Sequence, residues 1–228
     1  MSSALGTAEE IAAYLRGRLD AGLERIAYFI VPSAIAFLAL GDVIAGILFQ
    51  SGRFTRDDTV WVWQVLAGST IGLLAATWGR LYSSTFYALR DTRTPLRFAI
   101  ARVTINLALG AFFALYLPGA LGIDPRIGVA GLTAASGIAA WIEFFLLRRA
   151  LAERIGRTSM ARGYTLRLWA AGAVAATVAW GVKLLLAGGP TLLTGLVVLA
   201  VFGGVYLAIT AMMGVKEAVG MTRIIRRR

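Results

Sequence analysis

The sequence predicts an all-α protein of six membrane-spanning helices, and three observations carry that prediction. Apolar residues come in six runs of about 20, the length that crosses a hydrocarbon core. Hydrophobic residues make up 58% of the 228 and charged residues 15%, where a soluble domain carries about 25% charged; mean hydropathy is +0.74. The Lys and Arg residues gather between alternate runs, the bias of a polytopic membrane protein toward positive cytoplasmic loops.

The same composition excludes several chemistries. Cys and His are both absent, so there is no disulfide framework, thiolate nucleophile, Cys/His zinc site or Ser-His-Asp triad. No tight carboxylate cluster marks a metal or phosphotransfer site, so the reading is of a protein that is not an enzyme and has no metal or cofactor. A net charge of +11 would suggest nucleic acid in a soluble protein; here it is the charge of inward-facing loops, and no nucleic-acid partner is expected.

Residues 1–25 are amphipathic rather than a signal peptide. Thr7 and Glu10 fit a capping box, and Ile11, Leu15, Leu19 and Leu23 recur on one face, which predicts a helix over 7–25 lying at the membrane surface. The first span is read as Ile26–Gln50, containing Pro32 and Asp42. Ser51–Asp58 is a turn, with Thr55 and Asp58 starting the next helix. The second span, Thr59–Leu89, would be roughly 45 Å long at 1.5 Å per residue, so it should tilt or overhang; Trp61 and Trp63 suit an interfacial belt. The third is Pro95–Leu117, followed by an irregular loop bracketed by Pro118-Gly119 and Asp124-Pro125. The fourth, Ile127–Leu147, is rich in small residues (Gly128, Gly131, Ala135, Gly137, Ala139) that let helices approach closely. After a basic connector at 151–165 come the terminal pair, Leu166–Ala187 and Thr191–Met213, joined by Gly188-Gly189-Pro190, and a basic tail at 214–228.

With the N-terminus inside, eighteen of the 23 Lys and Arg fall in inner segments and four in outer ones, with Arg80 inside a span. Both termini are therefore expected in the cytoplasm. The chain is organised around the turn between the second and third spans. There Arg90, Asp91, Arg93 and Arg97 cluster, and Thr94-Pro95 restarts a helix with Thr94 as N-cap and Pro95 at the first helical position. Half of this charge is explained by topology alone; the rest would hold the turn and face anionic headgroups.

Several ordered segments resemble the MurJ (MviN) lipid II flippases of the MOP exporter superfamily. Val31-Pro-Ser33 opens a span. Ile47-Leu-Phe-Gln-Ser-Gly-Arg-Phe-Thr55 is similar to the family's Leu-Phe-x-x-Gly-x-Phe-Thr turn. Phe86-Tyr-Ala-Leu-Arg-Asp-Thr-Arg-Thr-Pro95 is similar to its Phe-Tyr-Ala-x-x-Asp-x-x-Thr-Pro signature, which makes Phe86, Tyr87, Asp91, Thr94 and Pro95 the hinge motif. Asn106 stands where the following helix carries an Asn, and Gly128-Val-Ala-Gly-Leu-Thr-Ala-Ala-Ser136 resembles the segment opening the next helix. The match covers about residues 24–150; the last two spans match in hydropathy and placement.

The resemblance implies a multi-pass protein of the bacterial inner membrane that moves an undecaprenyl-pyrophosphate-linked peptidoglycan precursor by alternating access. It also implies a departure. Family members have fourteen spans, and this chain corresponds to the ninth to fourteenth, forming 26–150 as part of the second lobe and 166–213 as the terminal pair. The other eight spans would be a separate chain or a lost segment. The alternatives are export of another polyprenyl-linked oligosaccharide, or a membrane scaffold that does not transport. In the family the terminal pair forms a groove suited to a polyprenyl tail.

Within this frame Arg80, Arg102 and Arg97 are the candidate substrate contacts. Arg80 lies roughly 15 Å from the turn along its helix, and an intramembrane arginine faces a water-filled cavity or a partner. A guanidinium there would make bidentate bonds to pyrophosphate; the alternative is a structural ion pair or a snorkelling side chain. Arg102 and Glu143 sit a turn or two inside the same face and would form an ion pair, with substrate gating as the second reading. Asp42, Asn106 and Ser136, with Thr104 nearby, are candidates for coupling to sodium or a proton. Asp42 has the alternative that Gly41-Asp42 breaks its helix near water. Asn106 lacks a carboxylate one turn along, because Gly110 occupies that place.

Overall fold

The computed structural model describes residues 8–49, 56–122, 124, 127–158, 163–186 and 188–225. Among these the chain is helical throughout, in the order α1 (Ala8–Phe49), α2 (Arg56–Ala88), α3 (Arg93–Ala111), a π turn (Phe112–Tyr116), α4 (Leu117–Leu121), α5 (Ile127–Ile155), α6 (Tyr164–Leu185), α7 (Thr191–Met212) and α8 (Lys216–Ile225). Six stretches are long and apolar enough to cross a membrane, with α3, the π turn and α4 counting as one. Thr7, Thr55, Gln50–Thr55 of the turn resemblance, Pro125 and the final Arg226–Arg228 lie outside the described residues.

Three boundaries differ substantially from those expected, and the tail carries a further helix. The helix over 7–25 and the first span are one helix, Ala8–Phe49, because nothing around Arg25 breaks it. Its departure from helical geometry comes at Leu40 (φ −127°, ψ 17°), not at Pro32. Pro32 has no N–H to give the carbonyl of Tyr28; the Tyr206 hydroxyl of α7 donates to that carbonyl instead, at 3.0 Å. The third span does not end before Pro118. The wide π turn precedes Pro118, which falls at the start of α4 where a missing N–H is tolerated, and the helix runs on to Leu121. The fourth span continues past Leu147 to Ile155, since Leu147, Leu151 and Ile155 keep a buried stripe through the basic residues. The tail forms α8, with Val215 and Ala218 buried.

The chain divides into two compact units. The first comprises Met1–Ile26 and Ile71–Tyr164. Its core holds Leu19 and Leu23 of α1, Trp78, Tyr82 and Phe86 of α2, and Phe144, Leu147 and Leu151 of α5. Tyr82 meets Phe144 edge-on at 5.5 Å, and the Trp78 indole donates to the carbonyl of Leu23 at 3.1 Å. The small residues of α5 serve two neighbours. Gly137 crosses Gly72 of α2 so closely that a Cβ on Gly137 would lie 2.6 Å from the Gly72 nitrogen. Gly128 and Gly131 lie against Ala114 and Phe113. The Trp141 indole closes the α2 crossing by donating to the Ile71 carbonyl at 2.7 Å.

The second unit comprises Ala27–Thr70 and Thr165–Arg228. Val31, Ile35, Leu168, Ala171, Ala175, Val198 and Phe202 are buried in it. Large apolar side chains such as Leu107, Leu115, Leu185 and Met212 remain exposed, as surfaces facing lipid do.

Candidate functional site

The α2–α3 turn is built from its hydrogen bonds. The Arg90 N–H donates to the Tyr87 carbonyl at 2.9 Å and the Asp91 N–H to the Phe86 carbonyl at 3.0 Å. This is the Schellman pattern, and Arg90 occupies its left-handed position at φ 58°. Asp91 then opens the next helix. Its Oδ1 accepts the N–H groups of Arg93 and Thr94, both at 3.0 Å, and its Oδ2 accepts the Thr94 hydroxyl at 2.7 Å. The capping side chain is therefore Asp91, not Thr94 as expected. α3 begins at Arg93, so Thr94 already lies inside the helix, where its own N–H needs an acceptor and its hydroxyl donates to Asp91. Pro95 is buried in the first turn of α3, which begins at Arg93.

Asp91 also receives Arg154 of α5, Nη2 to Oδ2 at 2.6 Å, and the same guanidinium lies 5.6 Å from the centre of the buried Phe86 ring. The Thr94 hydroxyl and then the Thr94 N–H hold the Asp91 carboxyl below its ordinary value; desolvation opposes them, and Arg154 and the Arg93 N–H add lesser contributions in the same direction as Thr94. The Asp91 N–H thus helps to close α2, while its carboxylate starts α3 and ties the turn to α5. Sequence spacing singled out Asp91 but carried no signal for Arg154, 63 positions away.

Beside this turn lies an open cavity of about 780 Å³. Arg80, Arg93, Arg102 and Glu143 are its charged lining, with Tyr87 and Thr92 among its polar groups. Arg102 Nη1 donates to Glu143 Oε2 at 3.0 Å. Glu143 is almost buried, and Arg102 keeps a third of its side chain exposed. Arg80 is exposed, and among the described residues it forms no ion pair. Three guanidiniums against one carboxylate leave the cavity positive. Arg97 is exposed on α3 and is not among the lining residues.

The cation-coupling candidates fall elsewhere. Asp42 pairs with Lys183 of α6 within the second unit. That pair stands next to the Leu40 kink, where the Trp63 indole donates to the Leu38 carbonyl at 3.0 Å and rests on Gly41, which leaves no room for a Cβ. Asn106 and Ser136 are half-buried on α3 and α5, two helices that pack together. Asn106 Oδ1 is buried with no hydrogen-bond partner. Thr104 donates its hydroxyl to the Ile100 carbonyl at 3.1 Å. Gly110 packs against Leu132.

Comparison with known proteins adds the family. The profile of the family described as "Lipid II flippase MurJ" matches residues 1–213. The chain belongs to the MurJ family. Among its MurJ relatives is a probable lipid II flippase MurJ of Rhizobium meliloti (strain 1021), 32% identical over 143 residues, which are 63% of this chain and 24% of the relative. Another, a probable lipid II flippase MurJ of Vibrio cholerae serotype O1, is 26% identical over 212 residues, 87% of this chain and 37% of the relative. A solved structure, the lipid II flippase MurJ in an inward closed conformation, shares the fold with a TM-score of 0.71 at 21% identity. The match covers 90% of this chain and 41% of that one. The chain thus spans from about a quarter to two-fifths of the length of these MurJ proteins.

Proposed function

We propose that the chain is the C-terminal part of a lipid II flippase. It would move an undecaprenyl-pyrophosphate-linked peptidoglycan precursor across the bacterial inner membrane, with both of its termini in the cytoplasm. The observation that carries this reading is the positive cavity beside the Asp91 turn. Arg80 brings an unpaired guanidinium to it from within a span, and a charge at that depth is retained where it meets a ligand or water. A guanidinium offers two parallel N–H donors to a phosphate, and the net-positive lining suits a pyrophosphate better than a neutral sugar. Arg93 extends the positive lining toward the turn. Arg102, already paired with Glu143, sets the field and holds the wall rather than donating first. The exposed Arg97 faces headgroups in this reading.

Transport by alternating access needs two helical lobes that move about a central cavity. Six spans supply one side of it, so the chain would act with spans like the others its longer relatives carry, in the same polypeptide or in a second one. Asn106, with its unpartnered amide oxygen, is the residue of this chain best placed to meet a coupling cation; Asp42, already paired with Lys183, is not available in the same way.

The test is rescue of a bacterium depleted of its own lipid II flippase, by this chain alone and by this chain with an eight-span upstream piece from a relative. Rescue by the pair and not by the chain alone is the expected result. Failure of both, with the protein inserted and stable, overturns the proposal.

A further inference from the structure

A second polar cavity, of about 470 Å³, lies at the C-terminal end of α5, and no step of the proposed transport uses it. Arg148, Arg149 and Arg157 line it, with Glu153 as its single carboxylate and Thr158 and Phe145 on its wall. Arg149 and Glu153, both exposed, stand 4.0 Å apart as a solvent-screened pair one turn apart on α5. Among the described residues neither Arg148 nor Arg157 forms an ion pair. The C-terminal dipole of α5 offsets about half a charge, and Arg16 already donates to the last carbonyl, that of Ile155. The lining of the cavity, three arginines against one glutamate, therefore carries an excess of positive charge among the described residues.

The four charged side chains are exposed, but the turn that carries Arg157 and Thr158 is held in place. Gly156 adopts φ 85° and ends the helix, its N–H donating to the Ala152 carbonyl at 3.0 Å. That left-handed conformation is the reason for glycine there, since the atom a Cβ would meet, Arg16 Nη1, is the movable end of a side chain. The turn sends Arg157 and Thr158 back beside α5. The buried Tyr82 hydroxyl of α2 then pins Thr158, oxygen to oxygen at 2.7 Å. Three helices, α1, α2 and α5, thus fix the turn that carries Arg157, which lines the same cavity as Arg148.

We propose that this cavity is a phosphate-binding site, distinct from the cavity of Arg80 and Arg102. Two unpaired guanidiniums brought to one mouth match the oxygens of a phosphate mono- or diester, each able to bond it bidentately. The Thr158 hydroxyl is a further polar group at the wall. The exposed ring of Phe145 gives the cavity an apolar shoulder, which suits the first acyl carbons of an acidic phospholipid. Free phosphate carries the same recognition chemistry, and the experiment separates the two sources.

The full chain is purified in micelles supplemented with equal phosphatidylglycerol and phosphatidylcholine, and retained lipid is counted by native mass spectrometry. In parallel, thermal unfolding is followed with inorganic phosphate against chloride at constant ionic strength. Several-fold preferential retention of phosphatidylglycerol identifies a lipid headgroup, a rise in midpoint with inorganic phosphate identifies free phosphate, and either supports the site. The effect is lost in Arg148→Gln/Arg157→Gln and weakened in Arg148→Lys/Arg157→Lys, which keeps the charge but not the planar fork and serves if the first pair does not insert. Arg167→Gln/Lys216→Gln removes the same charge elsewhere and leaves the effect intact. Equal retention of both lipids with no response to phosphate overturns the proposal. So does an equal loss in the Arg167/Lys216 control, since binding would then follow net charge alone.

Discussion

Arg90 stands in the left-handed region at the end of α2, a position that glycine occupies without strain and that costs another residue about 1–2 kcal/mol. Its neighbour Asp91 does the work that the sequence assigned to Thr94. Arg90→Gly is expected to raise stability by up to about 1 kcal/mol, the relief of strain being partly offset by the freer unfolded chain; equilibrium unfolding in detergent would show it, and a loss would mean that the Arg90 side chain holds the turn. Asp91 makes a pH prediction. Its carboxyl is held below the ordinary value, chiefly by the Thr94 hydroxyl. Its contribution is therefore present above the ordinary carboxylate range and is lost as pH falls through the lowered value. Midpoints of wild type and Asp91→Asn, measured from neutral pH into acid, should differ at neutral pH and converge in acid. Parallel curves would refute the assignment. Arg102 and Glu143 belong to the same scale. Because Glu143 is nearly buried, removing Arg102 alone should destabilise by about 2 kcal/mol, less than for a fully buried pair. A double-mutant cycle with Glu143→Gln should give a coupling of about 1–3 kcal/mol, and additivity would show the pair to be incidental.

At the scale of elements, α5 is the post on which the first unit is assembled. Its glycines meet α2 on one side and the end of the third span on the other, and its last turns carry Arg154 to the Asp91 turn. Gly137→Ala should destabilise by about 1–3 kcal/mol through overpacking, because the atom it meets is backbone of Gly72 and cannot rotate away. Thermal unfolding of the purified protein checks this, and an unchanged midpoint would mean that the α2–α5 crossing is looser than it stands. The small residues of the fourth span announced a close approach in the sequence; which helices approach, and where, depended on the register of the crossing. The helix boundaries were legible wherever a turn carried its own chemistry, as at Gly188-Gly189-Pro190 before α7. They were misjudged at residues 25, 118 and 147, because a helix continues past a charged or proline-containing stretch when its buried stripe or a neighbour's donor supports it. Tyr206 supplying the carbonyl that Pro32 leaves open is such a case, and no local pattern in the sequence contains it.

For the whole molecule, the prediction concerns Arg80. In an assembly that rescues a flippase-depleted strain, Arg80→Ala should abolish or sharply lower rescue while insertion and abundance stay the same, and Arg80→Lys should restore part of it, since a point charge replaces a bidentate fork. Undiminished rescue with Arg80→Ala would remove the arginine from the substrate path. The six spans and the membrane setting were determined by the sequence itself, because hydrophobic length and charge placement act along the chain and can be read along it, and the family was legible in the resemblance of its ordered segments. The ion pairs Asp91–Arg154 and Asp42–Lys183, the meeting of Arg80 and Arg102 at one cavity, the absence of Arg97 from that cavity, and the arginine-lined pocket behind Gly156 were decided only by the tertiary structure. Each depends on the azimuth at which distant helices meet. A change of one residue in register rotates a side chain by about 100° around its helix, and composition and spacing do not encode that angle.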